Sequence, residues 1–573
     1  VADVPTPVLE VPSHVPPNPV LTLLRCAACN SLYYDPPGVT DFKDLDQEGD
    51  YYWRFYVEVG GGVWEAIWPT IAERTQSSRT LLDVGCGFGF SIDFWRRMIG
   101  GEAIGIELAD YGRIGARSLG VPVYDELLQN CTALDDRRFD VVYASEVIEH
   151  VPDPVAFATL LTRYVAEDGI LVLTTPSAEY IEPAQHSATL LAALAPGFHG
   201  FLLSKQAFAD IARKCGFAHV DARAFGERQI LWASRRPLSV EPNDPALLPL
   251  YLDYLARRIP SLEPSSPVWQ GLSYRHLKDL LYAGRLHEAK AVAQALLTAL
   301  EVDYGPEITD PGATLLRLKT CVTLAEVGRV VPYFLPSLYY FLGALAQHHD
   351  RDAALALRYY GGAVDCTLET SRVGSAFFLE AISLLWPARA RQAELWLAAR
   401  ELAAGVAMFV RIADEGTECA ARNAFALASH DLLEATIPRL CDQIWTAGYR
   451  SDAQTLFDAY GRYVERQYGA AARTAPGIEA ALAGGSDRLP LDPLFAPYFS
   501  ARQGGPAKEA NAALLTVSRI GNTYSDHPNF GQTLQHRASC AQQLLPATQT
   551  GIKIQSAASW PVQITYNLQP PER

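Results

Sequence analysis

In LLDVGCGFGF, residues 81–90, an acid at Asp83 is followed by glycine at 85, 87 and 89, with Cys86 between the first two. A strand that ends at the acid and turns through such glycines into a helix presents bare main chain. A ligand can be pressed against it where any Cβ would collide. The spacing departs from two nucleotide fingerprints: a dinucleotide turn would place its third glycine at position 90, which is Phe90, and no Gly-Lys-Ser/Thr triplet follows to make a P-loop. Glu107 ends the next apolar run, AIGIEL, twenty-two residues after Gly85. A carboxylate there accepts both hydroxyls of a ribose, so these residues predict a nucleoside ligand.

Such residues need a parallel sheet beneath them. From Thr80 to Ser234 the runs TLLDV, AIGIEL, VPVY, FDVVYAS and GILVLTT alternate with the helical patterns SIDFWRRMIG, DYGRIGARSLG and DPVAFATLLTRYVAEDG. Asp153-Pro154 supplies a cap and first turn for the last helix, and Gly169 its expected stop. After a helix at SKQAFADIARKCGF, the segments AHVDARAFG and RQILWAS are expected to close the sheet as an antiparallel pair, giving about seven strands. Past Pro237 the pattern becomes long and helical. YAGRLHEAKAVAQALLTAL and TAGYRSDAQTLFDAYGRYV each carry a glycine followed five residues later by alanine (Gly284 with Ala289, Gly448 with Ala453), and YYFLGALAQHHDRDAALALRYYGGAV has a related small-residue pattern. These resemble tetratricopeptide-type helical hairpins, although their irregular spacing does not make a regular solenoid. A further helical segment is expected at 506–545, and a strand-like tail follows it.

The glycine turn, Glu107, FDVVYASEVIEHVPDP and EDGILVLTTPS, in this order and spacing, resemble the class I S-adenosylmethionine-dependent methyltransferases. The likeness is nearest to the branch with ubiquinone-type O-methyltransferases and sugar methyltransferases, and it covers residues 51–234. It implies an α/β fold with a Rossmann-like seven-stranded sheet, here joined to an all-α helical-hairpin C-terminal region. The expected domains are an extended arm with a CxxC pair at 1–45, the methyltransferase domain at 46–238, the helical hairpins at 239–482, and a C-terminal helical segment and tail at 483–573. The resemblance makes S-adenosyl-L-methionine the cofactor. Asp83, Gly85, Cys86, Gly87 and Gly89 would hold its methionine part and Glu107 its ribose. Asp125 would lie near the adenine, and Ser145 and Glu146 beneath the sulfonium.

Methyl transfer is an in-line displacement, and an acceptor hydroxyl must also lose a proton, so a positioned base is needed. Histidine suits that work near neutral pH. His150, in EVIEHV, either acts directly or caps its loop with Glu149. His199, in PGFHGFLLSKQAF, either takes the proton or serves as a lid residue, and His186 is a third candidate. Tyr51, Tyr52 and Tyr56 precede the domain and either line the pocket or pack in the core. Cys26-Ala-Ala-Cys29 looks like half a zinc ribbon, but four-coordinate zinc needs two more ligands, only His14 stands near, and no metal is expected.

The whole chain narrows the function further. Its 573 residues carry a formal charge of −16, which repels nucleic-acid backbones. Ten scattered cysteines match reduced, cytoplasmic usage, and the N-terminus lacks a signal-peptide pattern. The weakly charged stretches 183–204 and 330–349 are broken by proline, glycine or polar residues and are not expected to span a membrane. The expected function is methylation, with O-methylation favoured, of a small-molecule or glycan acceptor, the helical region serving a protein partner or self-association. Two alternatives stand beside it: a helical scaffold with a degenerate or regulatory methyltransferase module, and a protein methyltransferase that recruits its polypeptide through the helices.

Overall fold

A computed structural model describes residues 5–13, 20–35, 51–73, 80–181, 193–225, 227–374, 377–399, 401–420 and scattered positions between 449 and 459. The chain divides into two compact units, Val1–Pro183 with Leu190–His276, and Ala184–Thr189 with Leu277–Arg573.

In the first unit three strands, β1 (Thr6–Pro12), β2 (Val20–Arg25) and β3 (Leu32–Asp35), form an antiparallel sheet. The N-terminal stretch is therefore paired rather than a lone arm. Cys26 and Cys29 sit in its β2–β3 turn, where Asn30 adopts φ 59 and the Cys29 thiol donates to Ser31 Oγ at 3.3 Å. His14 lies outside the described residues.

The main sheet contains β4 (Thr80–Val84), β5 (Glu102–Ile106), β6 (Val123–Tyr124), β7 (Phe139–Ser145) and β8 (Val165–Pro176). After β9 (Phe201–Leu202), which joins the N-terminal sheet at β3, come β10 (His219–Phe225) and β11 (Arg228–Ser234). The seven-stranded order is β10-β11-β8-β7-β4-β5-β6. The first five strands pair in parallel, and β11 and β10 close the edge antiparallel, as AHVDARAFG and RQILWAS predict. Strands covered on both faces need continuous apolar runs, and period-two alternation sorts these runs into two cores. Leu81, Tyr143, Val172 and Trp232 face one, and Leu82, Val142, Leu171 and Leu231 the other. Trp232 is fully buried and still satisfies its indole N–H by donating to the Pro69 carbonyl at 2.8 Å.

One expected boundary moves. The helix begun at Asp153-Pro154 ends at Thr162, and β8 starts at Val165, where pairing with Phe139 on β7 captures residues that carry a helical pattern. Gly169 lies inside β8 and not at a helix stop. A Cβ there would stand 2.8 Å from the Phe139 carbonyl oxygen, so glycine permits close strand approach at this irregularity.

Helices cover the sheet. A short α1 (Tyr51–Phe55) runs into a π turn (Tyr56–Gly60), followed by α2 (Val63–Ile71). Then come α3 (Phe90–Phe94), continued by a second π turn (Trp95–Ile99), α4 (Asp110–Leu119), α5 (Pro154–Thr162) and α6 (Lys205–Lys214). The unit does not stop near residue 238. It takes in α7 (Leu247–Arg258) and the start of α8 (Pro267–Tyr282), and Tyr251, Tyr254 and Leu272 belong to the same core as Trp232.

The second unit is helical. Gly284, at φ +72, turns α8 into α9 (Leu286–Tyr304), whose Ala289 is fully buried. α10 (Pro311–Leu318) and α11 (Leu324–Val330) lead to α12 (Leu335–Leu345) and α13 (Ala353–Gly374). α12 and α13 form a second hairpin. It packs closely because Gly343 lies against the Tyr360 ring, where a Cβ would stand 2.8 Å away. Gly448, Ala453, the segment 506–545 and the tail lie outside the described residues. No helix among the described residues is long and apolar enough to cross a membrane.

Candidate active site

The order of strands reverses between β4 and β7, and in open α/β sheets the carboxyl ends at such a switch point form a crevice. The glycine turn sits on one side of it. Gly85, Gly87 and Gly89 all have positive φ (76, 55 and 89), a region that side chains disfavour. Each also faces a close neighbour. A Cβ on Gly85 would stand 2.4 Å from Val147 Cγ2, and one on Gly87 2.4 Å from the Tyr56 hydroxyl. Tyr56 stacks on Tyr111 with ring centroids 5.1 Å apart, so an aromatic pair covers this part of the turn. Tyr51 and Tyr52 lie in α1.

The carboxylates of Asp83 and Glu107 flank the turn. Asp83 is buried, Ser91 Oγ donates to its Oδ2, and its Oδ1 has no hydrogen-bond partner. Burial, with the nearby Glu107 charge adding to it against the Ser91 hydrogen bond, pushes the Asp83 carboxyl up to about 7. Glu107 Oε2 accepts from the Gly87 N–H (2.9 Å), and its Oε1 from the N–H groups of Leu108 (2.8 Å) and Ala109 (3.0 Å). Cys86 is buried beneath the turn, and burial holds its thiol well above the usual range, far from a nucleophilic thiolate. Asp125 follows β6 at the sheet edge and pairs with the Arg113 guanidinium on the surface.

β7 delivers the other side of the crevice. Ser145 Oγ bonds Thr174 Oγ1 (2.8 Å), and Glu146, at φ 54, accepts from Thr174 Oγ1 (2.8 Å) and pairs with Arg228 (3.1 Å). The short turn Ile148–His150 follows. His150 and His199, far apart in sequence, meet edge to face with ring centroids 4.7 Å apart. The Gly200 N–H donates to the Glu149 carbonyl (2.8 Å) and ties the two segments together. His186 lies outside the described residues.

The protonation of this pair is set by main chain. His150 Nδ1 lies 3.0 Å from the Phe198 carbonyl and His199 Nδ1 3.1 Å from the Ala193 carbonyl. A carbonyl only accepts, so both Nδ1 atoms carry the proton and both Nε2 atoms present a lone pair. Burial lowers the His150 pKa and keeps the ring neutral. Glu149 is fully buried. Its Oε2 accepts from Thr175 Oγ1 (3.0 Å), while Oε1 has no hydrogen-bond partner and stands 4.0 Å from His150 Nε2. Burial, then the Glu146 charge, raises the Glu149 carboxyl well above the usual range. The ligating atoms of Glu149, His150 and His199 lie within 4.8 Å of one another, the one such three-residue cluster among the described residues. EVIEHV signals the first two. The partnership of Thr175, Arg228 and His199 with this loop has no local sequence signal.

A family model described as "Methyltransferase domain" matches residues 56–222. The chain is 28% identical over 176 residues to a ubiquinone biosynthesis O-methyltransferase of Cereibacter sphaeroides, covering 28% of this chain and 70% of that protein. It is 29% identical over 194 residues to the enzyme of the same name from Ruegeria pomeroyi, covering 31% and 76%. It is 32% identical over 113 residues to the chloroplastic tocopherol O-methyltransferase of Arabidopsis thaliana, covering 18% and 32%. The seven-stranded sheet with its switch-point glycine turn and these matches together identify a class I S-adenosylmethionine-dependent methyltransferase domain, whose cofactor is S-adenosylmethionine.

Proposed function

We propose that this domain methylates a hydroxyl oxygen of a small-molecule or glycan acceptor, with His150 as the base. The observation that carries the reading is the pair of imidazoles locked by carbonyls into the tautomer whose Nε2 accepts a proton. When bound, S-adenosylmethionine supplies a sulfonium methyl open to in-line displacement. In this reading the orphaned Asp83 Oδ1 marks where the cofactor's ammonium group is held, and the Gly85–Gly89 turn takes the methionine part against its main chain. Glu107, at the end of the strand beside the turn, receives the ribose hydroxyls. Asp125 borders the adenine, and Ser145 and Glu146 form the floor. His150 Nε2 takes the acceptor's proton as its oxygen is alkylated, and the more buried His199 holds the first ring edge-on. The names of the three relatives, all O-methyltransferases, support oxygen as the acceptor atom. The test is transfer of labelled methyl to acceptors from a cell extract: His150→Gln should lower kcat about 10²- to 10⁴-fold with cofactor affinity unchanged. An unchanged kcat removes His150 as the base.

A second reading is favoured by the unpartnered Glu149 Oε1. Two accepting imidazole nitrogens and a buried carboxylate, each histidine backed by a carbonyl on its other nitrogen, are the composition of a divalent-cation site. A cation about 2.1 Å from each atom would draw the three together and ionise Glu149. Elemental analysis of purified protein decides it: about one bound metal per chain, lost in Glu149→Gln, supports the site, and metal-free protein with full activity in chelator rejects it.

The helical hairpins of the second unit support a further part of the reading, a surface for a protein partner or a second copy of the chain. Light scattering of the full chain, alone and with captured partners, tests it. A monomer mass in both cases would reject it.

A further inference from the structure

The matched family segment ends at residue 222, but the compact unit continues to His276, and the added stretch is bonded to the wall of the site. α8 lies directly on the π turn that carries Tyr56. Gly271 is the point of closest approach, because a Cβ there would stand 2.5 Å from the Val57 carbonyl oxygen and 3.1 Å from Glu58 Cα. One helical turn later, Arg275 is only 6% exposed. Its Nη1 donates to the carbonyls of Val57 (2.6 Å), Glu58 (3.1 Å) and Gly271 (3.1 Å), and its Nη2 to the carbonyl of Gly61 (2.6 Å). Carbonyls at a helix C-terminus lack intrahelical partners and carry the negative end of the dipole, so a guanidinium suits them. Three of these four carbonyls belong to the turn that begins with Tyr56, or directly follow it.

The added stretch also holds the helix that follows the glycine turn. Asp93, in the helix after the glycine turn, accepts from the Tyr254 hydroxyl (2.8 Å) and forms an ion pair with Arg258 (2.7 Å), both on α7.

We infer that Arg275 is a positioning residue for cofactor binding: by holding the carbonyls of Val57, Glu58 and Gly61 it fixes the π turn that sets Tyr56 over Gly87. The segment after residue 222 thereby completes the pocket instead of merely extending the chain. The inference rests on the reading of the glycine turn as the cofactor site. Arg275 touches no reacting atom and acts through Tyr56.

The test is calorimetric titration of S-adenosylhomocysteine into the full chain, as wild type, Gly87→Arg, Tyr56→Ala, Arg275→Met and the Tyr56→Ala/Arg275→Met double variant. Each of the two latter single variants should weaken binding about tenfold, and the double variant should be no weaker than about tenfold, since the guanidinium works through the ring. A double variant weaker by the product of the two single effects, or wild-type affinity in Arg275→Met, overturns the inference. Where Arg275→Met gives no cooperative melt, Arg275→Lys and Gly271→Ala replace it. Both should bind more weakly, and wild-type affinity in both overturns the inference. Wild-type binding that is lost in Gly87→Arg but kept in Arg275→Met leaves the cofactor site standing and removes only the role of Arg275. Absence of wild-type binding removes both.

Discussion

The two sides of the crevice are built from different materials. The β4 side is main chain: three glycines at positive φ, N–H groups tied by Glu107, and side chains that only flank the turn. The β7 side is side chains, the half-buried His150 with the buried His199 and Glu149, whose protonation is decided by carbonyls and by exclusion from water. A backbone site tolerates no change of residue type, because geometry allows only glycine. A side-chain site tolerates changes of shape but not of proton inventory.

Substitutions on each side sharpen that contrast. The largest effect is expected for Gly85→Val, which must adopt φ 76 and collide with Val147. Cofactor binding should fall more than about a hundredfold, about 2.7 kcal/mol, as measured by calorimetry. Retained affinity would show that the turn is not used as drawn. Next in size, His199→Phe keeps an aromatic ring beside His150 but removes its nitrogens. A positioning role predicts a loss in kcat of about tenfold or less, with affinity for S-adenosylhomocysteine unchanged. A loss as large as that of His150→Gln would instead make His199 a direct participant.

Asp83 provides a pH-dependent comparison. In the folded protein its carboxyl holds a proton to about pH 7, whereas an ordinary solvent-exposed aspartate releases it near 3.8. Folding therefore takes up a proton between those values. The group's contribution is complete below about pH 4, and stability is lost as pH rises toward 7. Chemical denaturation of Asp83→Asn should lack this decline, and an unchanged pH profile in that variant would contradict the buried, protonated state. The smallest effect is expected away from the crevice. Gly343→Ala pushes a methyl into the Tyr360 ring and should destabilise the second unit by about 1–3 kcal/mol in denaturant titrations, with cofactor affinity unaltered.

The same contrast explains what the sequence disclosed. A turn that only glycine can make, an acid at the end of the next strand and two closing antiparallel strands are local demands, so LLDVGCGFGF, Glu107 and the seven-stranded sheet were legible. The β7 side was half legible. EVIEHV marks His150, but its edge contact with His199 and the burial of Glu149 arise only once the sheet has folded. Arg275 was not legible at all, since WQGLSYRHLK reads as an ordinary helix and three of the four carbonyls it serves are more than two hundred residues away. Gly169 shows the reverse error: a residue type that stops helices was used for strand contact, because pairing with β7 outweighed local preference.

β9 is only two residues long, and it is the thread by which the N-terminal sheet holds the segment bearing His199. Ser204, just beyond it, repeats the stitch, donating its N–H to Ser31 Oγ at 3.0 Å and its hydroxyl to the Cys29 carbonyl. The N-terminal sheet thus anchors the segment that bears His199. Shortening the protein to begin after Asp35 would leave the cofactor turn intact while releasing the imidazole from its seat.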